Sequence, residues 1–136
     1  MSILIGIDPG KNTGISVYST GRKELLRCET VGICTAMSIV SDILKKRPIE
    51  VYFEDARLRK WFGVKAGREK LHGAGSIKRD CAIWEEFCNI NKIPFKAVAP
   101  KDTVTKMDAE TFKKLTKWEG KTSEHSRDSG MLVFGR

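Results

Sequence analysis

Two short apolar runs in this 136-residue chain each lead straight into a carboxylate. Ile3-Leu4-Ile5-Gly6-Ile7 ends in Asp8-Pro9-Gly10, and Ile49 to Phe53 ends in Glu54 and Asp55. Runs of that length bounded by turn residues predict buried strands. A carboxylate at the end of a buried strand is costly unless something compensates it. The pattern therefore limits the chain to folds that bring these acids to water, to a partner or to a cation. If the two strands are neighbours, Asp8 and Glu54 converge at one end of a sheet. A converging carboxylate pair selects a hard divalent cation such as Mg²⁺ or Mn²⁺. Either acid alone also suits a turn, Asp8 above all, because Asp-Pro-Gly is a turn sequence.

Gly14 to Tyr18 alternates apolar and small residues, and Leu25 to Val31 reads as a third strand, so the chain opens as a meander. From Thr35, which suits an N-cap, Met37, Val40, Ile43 and Leu44 recur at helical spacing until Pro48 stops the pattern. Residues 55 to 75 show no clear period and contain four glycines, which predicts a long, mobile, basic connection that is in part helical. Ser76 to Asn89 is predicted as an amphipathic helix and Phe95 to Val98 as a short strand. Pro100 opens a helical segment at a position where proline is tolerated. Asp108 caps a helix carrying Phe112, Leu115 and Trp118, and Thr122 or Ser123 caps a last one carrying Met131, Leu132 and Phe134. This order predicts an α/β fold, a mixed sheet of about five strands flanked by helices, in a single domain over residues 1–136.

Charge narrows the function. The formal net charge is +8, and between Arg57 and Arg79 eight Lys and Arg stand against Glu69 alone. A block with so few interleaved acids favours a polyanion, of which nucleic acid is the commonest. Trp61-Phe62 lies inside it, where aromatics either stack on unpaired bases or anchor the segment to the domain. The four cysteines (28, 34, 81 and 88) have no zinc or redox spacing and read as reduced structural thiols. No apolar run is long enough to span a membrane, and the first segment does not read as a signal peptide, so the expected compartment is cytoplasmic.

The third acidic element is Glu124-His125-Ser126-Arg127-Asp128. On a helix these acids and His125 share a face, although Glu124 in a first turn also complements the helix dipole. The run Ile5-Gly6-Ile7-Asp8-Pro9-Gly10 with Thr13-Gly14, an acid ending a middle strand, and His125-x-x-Asp128 together resemble the RuvC-type Holliday junction resolvases. So do Gly75 to Ala82 and Ala99-Pro100 followed by Lys101 and Lys106. The resemblance covers nearly the whole chain and implies a ribonuclease H-like fold. It makes Asp8 the central metal ligand, Glu54 the second, Asp128 the third and His125 the fourth. It also implies a metal-dependent endonuclease that resolves four-way DNA junctions as a homodimer, by paired symmetric nicks. The chain departs from the family in its shortness, in its short final helix, and in offering Asp55 and Glu124 as substitute ligands.

The mechanism expected from general chemistry uses two cations about 4 Å apart to activate water and steady the leaving 3′ oxygen. Asp8 bridges them, and His125 either ligates or orients water. The expected DNA contacts are Arg57, Arg59, Lys60, Trp61, Phe62, Lys65, Arg68, Lys78, Arg79 and Lys101 or Lys106. Trp84 and Phe87 mark the helix at 76–89 as the candidate dimer surface, the alternative being that both are core. Rival functions are another ribonuclease H-like nuclease acting on RNA or on branched or duplex DNA, and a junction-binding protein that does not cut. An actin-like nucleotide site is disfavoured, because 136 residues leave no room for its second lobe.

Overall fold

The structure, a computed structural model, describes residues 2–58 and 68–136, with side chains of the long middle helix described from Gly75 onward. β1 (Ile3–Asp8), β2 (Asn12–Ser19) and β3 (Glu24–Gly32) form the expected meander. Then follow α1 (Ile33–Lys46), β4 (Ile49–Glu54), α2 (Arg68–Ile90), β5 (Phe95–Val98), α3 (Ala109–Thr116) and α4 (Glu124–Val133). Single 3₁₀ turns lie at Ala56–Leu58 and Pro100–Asp102. The sheet runs β3-β2-β1-β4-β5. Its first three strands are antiparallel, and β4 lies parallel to both β1 and β5. This is the mixed five-stranded sheet flanked by helices that the sequence predicts.

β1 is central because it is apolar on both faces, as a strand covered on two sides must be. The pleat sends Ile3, Ile5 and Ile7 to one face, where they join Val17, Val51 and Phe53 beneath Ala36 and Val40 of α1 and Trp84 of α2. Leu4 points the other way, into a second cluster with Tyr18, Val98, Phe112 and Leu132. α4 covers that second face at very close range. A Cβ added at Gly6 would meet the Ser129 carbonyl oxygen, and one at Gly14 the His125 carbonyl oxygen, each well inside the 3.0 Å that real Cβ atoms keep. Small polar residues line the same contact. Ser16 Oγ bonds Ser129 Oγ at 2.7 Å, and Cys28 Sγ donates to the Ser126 carbonyl at 3.3 Å.

Several boundaries differ from the sequence reading. α1 starts at Ile33 behind an extended Gly32 that makes no side-chain cap, so Thr35 is not the cap. β3 stays paired with β2 as far as Gly32 and turns directly into the helix. α2 begins eight residues before Ser76 and runs through Gly73 and Gly75, residues whose low propensity, about 1 kcal/mol each against alanine, hides a helix from pattern reading. α3 ends at a left-handed Lys117, which leaves Trp118 beyond it. Asp108 caps α3 as expected, and Ser123 rather than Thr122 caps α4, in a reciprocal capping box with Ser126.

Trp84 is fully buried, and Phe87 packs edge-on against it as part of the same core. They are therefore core residues and not the dimer surface. Among the described residues of α2, the large apolar side chains that are exposed are Ile77, Ile83 and Ile90. All four cysteines are free, and three are buried. Cys34 is exposed on α1. Burial pushes Cys81 and Cys88 up to about 11, as inert core thiols require. Among the described residues no helix is long and apolar enough to cross a membrane.

The close approach of α4 is testable. Gly6→Ala and Gly14→Ala should each lower unfolding stability by about 1–3 kcal/mol, the cost of overpacking against backbone. Gly32→Ala, with open space around it, should stay within about 0.5 kcal/mol of wild type. Urea midpoints at constant m-value check all three.

Candidate active site

The strand register decides which acids meet. Ile7 of β1 lies beside Phe53 of β4 in parallel, so the next residue on each strand, Asp8 and Glu54, emerges at the same end. Both alternate onto the face that α4 covers. The following residue, Asp55, lies on the other side of the sheet, towards α2. There it accepts from the Arg57 backbone N–H at 3.0 Å and from the Arg57 guanidinium at 2.9 and 2.7 Å. Arg57 also bonds Glu85 of α2 at 2.9 Å. Burial pushes the Asp55 carboxyl up, yet the Arg57 hydrogen bonds outweigh it and hold the group below the usual carboxylate range. Asp55 is thus spent on an internal ion pair and is no substitute ligand. Arg57, whose own pKa is raised by that hydrogen bond with Asp55, is turned inward as a strut between β4 and α2, not outward as a DNA contact.

On the face with Asp8, α4 supplies the remaining groups. Its approach through Gly14 sets His125 Nδ1 at 2.9 Å from Asp8 Oδ2. With a carboxylate as acceptor, Nδ1–H is the donor. Burial raises the Asp8 carboxyl to about 6, and the nearby charges of Asp128 and Glu124 push in the same direction against the His125 bond. Asp128 is itself raised by burial, although it accepts from the Lys106 backbone N–H at 2.9 Å. Glu124 is exposed at the first position of α4 and acts on both aspartates through its charge. Between the two helix candidates for contact with Asp8, the geometry favours His125.

Lys106 lies at this site through its backbone, whereas Lys101 sits exposed on the 3₁₀ turn after β5. Lys78 and Arg79 are exposed on α2, and Arg79 approaches Asp80 at 3.4 Å. Arg59, Lys60, Trp61, Phe62 and Lys65 lie outside the described residues, as does the side chain of Arg68. Sequence reading missed Gly6, Gly14, Ser16, Ser126 and Ser129 as the residues that seat α4. Their signal was a run of small residues at Ser126, Ser129 and Gly130, spaced as one helix face.

The donor chemistry fits a hard divalent cation. Burial raises both Asp8 and Asp128, and the Asp128 and Glu124 charges raise Asp8 further, a cost that a divalent ion relieves. As placed, the described residues contain no ready-made group of three or more His, Cys, Asp or Glu around a common point. The acids are neighbours, not yet a closed coordination shell.

No family model matches the chain, and no curated protein matches it. Its architecture does match a solved structure, T. thermophilus RuvC in complex with Holliday junction substrate, with a TM-score of 0.61 over 97% of this chain and 90% of that one. The chain has the RuvC fold. This is a ribonuclease H-like fold, as the resemblance implied. Sequence identity is 17%, so the RuvC match establishes architecture, and the chemistry rests on the residues described above.

Two outcomes follow. In chelator, the folded Asp8 carboxyl keeps its proton to about pH 6, whereas the unfolded one loses it near 3.8. Between those values the folded state binds more protons, so stability falls as pH rises. Asp8→Asn should therefore be more stable than wild type at pH 7.5, by up to about 3 kcal/mol, with the gap closing below pH 4. Arg57→Ala should cost about 2–4 kcal/mol by stranding the buried Asp55. Urea unfolding across pH checks both.

Proposed function

We propose that this protein is a divalent-metal-dependent endonuclease that resolves four-way DNA junctions. The observation that carries the reading is the contact of His125 with Asp8, with the Asp128 charge near enough to raise the Asp8 carboxyl and Glu54 at the same sheet end, on a fold shared with a RuvC solved in complex with Holliday junction substrate. Bound Mg²⁺ or Mn²⁺ supplies the positive charge that activates a water and steadies the leaving oxygen of a phosphodiester. Asp8, Glu54 and Asp128 are the residues that would hold that ion. With Nδ1 engaged by Asp8, His125 has Nε2 to exchange a proton with water, and its half-exposed position suits that role. The basic excess after β4 draws the phosphate backbone to an otherwise repulsive acidic centre.

Resolution needs two cuts related by the two-fold symmetry of a junction, and one domain of this size carries one acidic centre. A symmetric homodimer supplies two. Ile83 and Ile90, exposed on one face of α2, form the surface we assign to it.

Cleavage of a four-way junction, a linear duplex and an RNA–DNA hybrid, each with Mg²⁺ and with chelator, tests the reading. The junction should be cut in Mg²⁺ alone. Asp8→Asn, Glu54→Gln and Asp128→Asn should abolish cutting and leave junction binding intact or tighter, since each removes a negative charge facing phosphate. His125→Ala should lose activity in part, more in Mg²⁺ than in Mn²⁺. A cruciform plasmid should be linearised within one binding event. Preferred cutting of the hybrid would move the substrate to RNA, junction binding without cutting would leave a binding protein, and independent single nicks would remove the dimer.

A further inference from the structure

Arg127 is the only Lys or Arg in α4, and in a chain so rich in exposed cations it is turned inward. Its Nε donates to the Met107 carbonyl oxygen at 2.6 Å, and a terminal nitrogen donates to Thr122 Oγ1 at 2.9 Å. Neither partner is an acid, so the guanidinium is acting as a backbone clamp. The residue before Met107 is Lys106, a non-glycine residue at φ 59°. That left-handed conformation is disfavoured for a side chain with a Cβ and persists only where neighbours hold it. In that conformation the Lys106 N–H points at Asp128 Oδ1, 2.9 Å away. The residue after Met107 is Asp108, the cap of α3. Consecutive residues of α4 thus grip consecutive residues of the incoming loop: Arg127 takes the carbonyl of 107, and Asp128 takes the N–H of 106.

We propose that Arg127 is a positioning residue for the acidic centre. By tying down the Met107 carbonyl it keeps Lys106 left-handed, so that a backbone N–H fixes one oxygen of Asp128 and leaves Oδ2 to face a cation. The inference rests on reading Asp8 and Asp128 as cation ligands, and it adds which arginine and which backbone donor orient the second of them. Groups that orient a ligand from behind in this way typically govern affinity by about tenfold to a hundredfold. The basic side chain of Lys106 is not what this device uses.

Mn²⁺ binding followed by electron paramagnetic resonance, with no DNA present, provides a readout separate from cleavage. Arg127→Ala should weaken Mn²⁺ binding about tenfold to a hundredfold in protein whose circular dichroism and melting remain cooperative. Arg127→Lys should fall between, because an ammonium cannot repeat the planar two-point grip. Lys106→Pro, which lacks the N–H and cannot reach φ 59°, should match Arg127→Ala. Lys106→Gly keeps the N–H and favours the left-handed conformation, so it should bind Mn²⁺ as wild type does. Wild-type affinity in folded Arg127→Ala overturns the proposal, and so does a Lys106→Gly variant as weak as Lys106→Pro. If Arg127→Ala does not fold, the two Lys106 variants decide alone. A wild-type protein that binds no Mn²⁺ removes the cation site itself, a failure distinct from normal wild-type binding with an indifferent Arg127.

Discussion

α4 rests with its backbone directly over Gly6 of β1 and Gly14 of β2. Gly6 and Gly14 lie directly under the carbonyls of Ser129 and His125, and everything at the acidic end depends on that separation. A helix packed at the usual side-chain distance would carry His125 and Asp128 away from Asp8. At close range His125 reaches Asp8 at 2.9 Å, and the Asp128 charge is near enough to raise the Asp8 carboxyl. The small hydroxyl residues Ser16, Ser126 and Ser129 complete the contact by bonding to one another and to backbone. They replace apolar packing that has no room to fit.

The same closeness makes the site electrostatically expensive. Burial and like charges act together on Asp8, and burial acts on Asp128. The fold tolerates this by giving each acid one specific donor, His125 for Asp8 and the Lys106 N–H for Asp128. Asp55, one residue from Glu54, shows the opposite arrangement: its two oxygens are taken by Arg57, and its carboxyl is stabilised as the anion. One strand end therefore carries Asp55, compensated by Arg57, and Glu54, which alternates to the face with Asp8. Poorly compensated carboxylates gathered in one place are a common signature of function.

Much of this was legible in the sequence. Apolar runs ending in Asp8 and Glu54 gave the strands and the end at which they converge, and His125-x-x-Asp128 gave the helix face opposite them. Three matters were not legible, each because it depends on residues far apart in the chain. Arg57 counted as one cation among eight, and its partner Glu85 lies 28 residues on. Trp84 and Phe87 looked like more apolar surface than one helix needs, but the width of a five-stranded sheet absorbs both. Gly6 and Gly14 read as parts of a strand and a turn, whereas the carbonyls that require them are on the last helix, more than 100 residues away. Asp55 was separable in principle by strand alternation alone, had the end of β4 been fixed.

The most direct measurement is anomalous diffraction from crystals grown with Mn²⁺. A peak bound by Asp8 and Asp128, with Glu54 or His125 completing the shell, is the result that the packing of α4 on Gly6 and Gly14 predicts. Well-ordered crystals with Asp8 and Asp128 in place and no Mn²⁺ between them, or with the ion bound elsewhere, would contradict it.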